Sequence, residues 1–185
     1  MFDQLTQLVQ QFGNDAVVKN DAIPNEQNEA VINETGSSIF SGLQKIASEG
    51  GIEQLAALFQ ATNVQDRSNP VVQKLTEQLT NNLGEKFGLS SNTASGVAQN
   101  MVPQVLGSLV NKAKDPNDSS FQISDLANAI SGENGNSSLM DAISKYGSQF
   151  GLDQNSDGKV DMGDAMAATK RSGGLGGLLG KLFGK

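Results

Sequence analysis

The chain has 185 residues, a net charge of −7, one tyrosine, and no tryptophan, cysteine or histidine. Without Cys and His there is no disulfide framework, no thiolate nucleophile, no Cys- or His-ligated zinc and no imidazole base, which excludes triad hydrolases, His-zinc enzymes and thiol enzymes. The acidic balance argues against nucleic-acid binding, which needs clustered Lys and Arg to neutralise phosphate.

The opening MFDQLTQLVQQFG places Phe2, Leu5, Leu8, Val9 and Phe12 on one helical face, with Gly13 and Asn14 as the expected stop. It has no basic n-region and no uninterrupted apolar stretch, so no signal peptide is expected and the expected location is the cytoplasm. No apolar run approaches the roughly 20 residues of a membrane span. A second helix is predicted after Ile23-Pro24, with Ile32, Ile39, Leu43 and Ile46 as its stripe and Gly50-Gly51 as its stop. Residues 52–59, IEQLAALF, form a short helix, and ATNVQDRSNP is a polar loop.

Pro70 opens a long helix with Val71, Leu75, Leu79, Leu83 and Phe87 on one face, capped by Ser68 or Asn69 and ended by Gly88. Ser90 or Ser91 caps the next, which carries Val97, Met101, Val105 and Leu109; Pro103 lies inside it and is expected to kink it. DPND is a turn, ISDLANAIS a further short helix and GENGNSS a loop. No segment alternates apolar and polar residues as a strand would, so the predicted fold is all-α: a compact multi-helix domain followed by a helix-loop-helix and a tail. The core must come from Leu, Ile, Val, Ala and Phe, because aromatic residues are 5% of the chain.

An internal duplication is expected within this domain. Residues 23–47 align without gaps on residues 89–113, so that Val31 meets Val97, Ile39 meets Val105 and Leu43 meets Leu109. In both copies a turn and a short helix follow, which extends the units to 23–60 and 89–131. Two related helical hairpins around a shared core would account for the pattern.

The segment LGEKFGLSSNTASGVAQNMVPQVLGSLVNKA resembles the signature of the YidB-like bacterial family of unknown function, through Leu83, Phe87, Gly88, Leu89, Ser90, Pro103, Val105, Leu106, Gly107 and Leu109. The resemblance is drawn over residues 1–135. It implies a compact helical domain and no activity or catalytic residue.

The strongest chemical signal is GLDQNSDGKVDMGDAM, which sets four aspartates within twelve residues around an Asp-Gly step. Counted from Asp153, the loop has Asp153 at position 1, Asn155 at 3, Asp157 at 5, Gly158 at 6, Lys159 at 7, Asp161 at 9 and Asp164 at 12. This is EF-hand spacing, in which alternate residues of a tight loop aim oxygens at a hard cation. Asp153, Asn155 and Asp157 would give side-chain oxygens, Lys159 its backbone carbonyl and Asp161 a bridging water. Gly158 permits the sharp turn, and Val160 is the apolar plug. Amphipathic flanks within 137–172 complete the expected helix-loop-helix. Position 12 holds Asp164 where EF-hands usually carry Glu, which weakens the coordination and makes magnesium a stronger competitor of calcium. In this respect the loop resembles a dockerin repeat, but dockerins use two repeats and this chain has one, so no cohesin recognition is implied. An Asp/Asn/Gly-rich turn without an ion is the plain alternative; full spacing together with amphipathic flanks favours the ion.

Residues 173–185, SGGLGGLLGKLFGK after its first serine, set Leu175, Leu178, Leu179, Leu182 and Phe183 on one helical stripe. Six glycines from Gly173 onward, each costing about 1 kcal/mol relative to Ala in a helix, oppose a stable isolated helix. The basic residues after Asp164 contribute +4 against −7 overall, so the first 164 residues carry −11. The tail is expected to dock on a protein, self-association first, with a membrane surface as the alternative. Asp141, Glu85 and Glu133 form no recognisable catalytic pair. The expected function is therefore a non-enzymatic, calcium-binding helical protein that acts as a binding, structural or self-assembling module.

Overall fold

A computed structural model describes residues 2–60, 64–115, 126–131 and 142. The chain divides into two compact units, Met1–Leu139 and Met140–Lys185. All but one of the described residues belong to the first unit, and their regular elements are all helices, with no strand among the described residues.

Helix α1 (Phe2–Gly13) does not end at Gly13-Asn14. It runs on through a π-helical turn, Asn14–Val18. The cause is packing: Val17 is fully buried, and an added Cβ on Gly13 would lie 2.7 Å from the Ile32 side chain. A bare Gly13 lets the next helix approach, and the extra turn carries Val17 into the core that it helps to form. The stop signal was local, and tertiary burial overrode it.

After a turn closed by Ile23 N–H donating to Asn20 O, Pro24 precedes a 3-10 turn (Asn25–Gln27) that leads into α2 (Asn28–Ser48). The predicted stripe Ile32, Ile39, Leu43 and Ile46 is buried. Gly50 then takes a left-handed φ of 85°, which glycine adopts without a Cβ penalty, and α3 (Ile52–Gln60) follows. Leu55, Ala56, Leu58 and Phe59 of α3 are buried.

Helix α4 (Pro70–Phe87) shows all three of its predicted boundary devices. Asn69 is the cap, with its Oδ1 accepting from Val71 N–H at 2.9 Å; Pro70 opens the first turn; and Gly88, at φ 65°, closes the helix by donating to Gly84 O. Val71, Leu75, Leu79 and Leu83 are buried, while Phe87 is only half-buried. Helix α5 (Ser91–Lys114) is capped by Ser90, whose Oγ accepts from Thr93 N–H at 3.2 Å. It continues through Pro103, whose missing N–H leaves the Gln99 carbonyl without its intrahelical donor at an exposed position.

Helix α5 is the centre of the unit. It packs against α4 and α1, while α2 packs against α4 and α1, and α3 against α2 and α4. Ala94, Ala98, Met101, Val102, Val105, Leu106 and Val110 of α5 are all fully buried. A helix buried on so much of its circumference needs small residues where neighbours come closest, and Ala94, Ala98 and Gly107 supply them. Each large aliphatic side chain removed from water contributes about 1.5–3 kcal/mol. Residues 126–131 are helical, with Leu126, Ala127 and Ile130 buried, and Gln44 Nε2 of α2 donates to Ala129 O at 3.0 Å. Positions paired by the 23/89 alignment share burial at Val31 and Val97, Ile39 and Val105, and Leu43 and Leu109, but part at Ile46, buried, and Lys112, exposed.

Candidate functional site

The six predicted ion-loop residues, Asp153, Asn155, Asp157, Lys159, Asp161 and Asp164, lie outside the described residues. So do Asp141, Glu133 and the tail 173–185. Among the described residues no group of three or more His, Cys, Asp or Glu is placed to hold a metal, and no helix is long and apolar enough to cross a membrane.

Within the first unit, the most developed polar arrangement lies between α2 and α4. Glu34 and Ser38 are one helical turn apart on α2; Asn82 and Lys86 are one turn apart on α4. The helices run so that these pairs meet. Ser38 Oγ donates to Glu34 Oε1 at 2.9 Å, Asn82 Nδ2 donates to Ser38 Oγ at 2.8 Å, and Lys86 Nζ lies 2.8 Å from Glu34 Oε2. Gln78 Nε2 adds contacts of 3.4 Å to Ser38 O and Ser41 Oγ. The Glu34 side chain is only 13% exposed and its charge is met by donors, as burial of a carboxylate demands, whereas the Lys86 side chain is 56% exposed. An ion pair with one end in water is worth about 0–1 kcal/mol. The clasp therefore sets the register of α2 against α4 more than it stabilises either helix.

Beside the clasp lies an open groove of about 560 Å³, lined by Gly42, Ile46 and Leu75 and by side chains of both signs, including Lys45, Glu49, Lys74, Glu77 and Glu85. At Gly42 the two helices approach closely: a Cβ there would overlap Leu75 Cδ2 and lie 3.1 Å from Gln78 Oε1. Glu85 borders this groove together with Glu49 and Glu77.

Asp66 lies in the loop before α4. Ser68 donates to its Oδ1 from both the backbone N–H and the hydroxyl, each at 2.8 Å, and these bonds hold the carboxyl below its ordinary 3.8. The turn is fully exposed and shapes the approach to the Asn69 cap.

The clasp was not anticipated from the sequence. Its partners are separated by 44 and 52 residues, and the only local trace is the i,i+4 spacing of polar residues on each helix, which any solvated face would show.

The chain from 69 to 185 matches the model of a family described as bacterial proteins of unknown function, DUF937. No curated protein and no solved structure matches it. The match begins at the cap of α4, spans α4 and α5, and extends through the aspartate loop and the tail. It thus shifts the family region toward the C-terminus relative to the expected 1–135, with residues 69–135 common to both. Because the family's function is unknown, the match transfers no activity and no catalytic residue. Covering well over half of the sequence, it places this chain in the DUF937 family of bacterial proteins of unknown function.

Proposed function

We propose that the chain is a non-enzymatic helical protein, with two related helical hairpins as its scaffold, that holds one calcium ion in loop 153–164 and acts as a binding or self-assembling module. The observation that carries this reading is the spacing of oxygen donors at Asp153, Asn155, Asp157, Asp161 and Asp164, with Gly158 at the turn and Val160 as the plug. Six to eight hard oxygens are what calcium requires, and a loop of this pattern delivers them from alternate positions. The family match is compatible with this reading, because it includes the loop. Asp164, shorter than the usual Glu, reduces the bidentate grip on which discrimination against magnesium depends.

Titration calorimetry with calcium, and separately with magnesium, tests the reading. Heat of binding is expected with calcium and its loss with Asp157→Ala. Calcium is also expected to raise the melting temperature over that in chelator, because an ion bound only by the folded loop stabilises it by about 2.7 kcal/mol at one hundred times its Kd. No heat with either ion at millimolar concentration overturns the proposal.

A second reading, peripheral membrane association, is favoured by one feature of the tail: an apolar stripe beside Lys181 and Lys185. Each lysine near an anionic surface contributes about 1 kcal/mol. The −11 carried by the first 164 residues opposes that approach, and protein docking is the preferred role of the tail.

A further inference from the structure

We draw no further inference here: the strongest candidate, the open groove between α2 and α4 beside Gly42, is lined by charged side chains of both signs, and nothing in the structure shows what covers it.

Discussion

Two glycine-to-alanine substitutions in helices should change stability in opposite directions. In a helix interior Ala is favoured over Gly by about 1 kcal/mol, because glycine loses more backbone freedom on folding. At Gly96 in α5 that gain stands alone, since a Cβ there meets nothing within 4 Å and the position is exposed. Gly96→Ala is therefore expected to stabilise by about 0.5–1 kcal/mol. At Gly42 in α2 the same methyl would overlap Leu75 Cδ2. Leu75 is 2% exposed, so its Cδ2 can give way only toward the groove that it lines. Overpacking of this kind costs about 1–3 kcal/mol, which equals or exceeds the propensity gain. Gly42→Ala should therefore be neutral to destabilising by about 2 kcal/mol, and the two variants should differ by about 1–3 kcal/mol. Urea denaturation followed by circular dichroism measures both. Equal stabilisation by the two substitutions would refute the close approach of α2 and α4 at Gly42.

Three further outcomes are expected. Asn69→Ala removes the side-chain acceptor for Val71 N–H and should lower stability by about 1 kcal/mol in the same denaturation experiment; an unchanged midpoint would show that water replaces the cap at no cost. Asp66 should titrate below 3.8 by carboxyl NMR, and Ser68→Ala should move it upward, because the Ser68 hydroxyl bond favours the charged form. Since the folded carboxyl is depressed, its stabilising contribution is present above pH 3.8 and is lost as pH falls through the folded value. Deleting residues 173–185 should lower the particle mass in light scattering if the tail mediates self-association, whereas an unchanged mass with lost liposome flotation would favour the membrane reading.

The helix boundaries were legible because they depend on local chemistry. Asn69, Pro70 and Gly88 act within one turn of where they stand, as does Ser90. The apolar stripes of α2, α4 and α5 were legible because a 3.6-residue period states which face must leave water. The ion loop is readable for the same reason: its proposed donors lie within twelve residues of chain, and no distant residue is needed to pattern them. What the sequence could not decide was how much of each helix is buried. The stripe of α5 named four positions, yet Ala94, Ala98, Val102, Leu106 and Val110 are buried beside them. Only the packing of neighbouring helices, α1 and α4 foremost, around α5 buries these positions as well as the stripe, leaving Gly96, Gln99 and Asn100 exposed. The same holds at Gly13-Asn14, a local stop signal that the burial of Val17 overrides. The Glu34–Ser38–Asn82–Lys86 clasp and the groove at Gly42 exist because α2 and α4 lie side by side, and no pattern within a single helix specifies which neighbour it will meet.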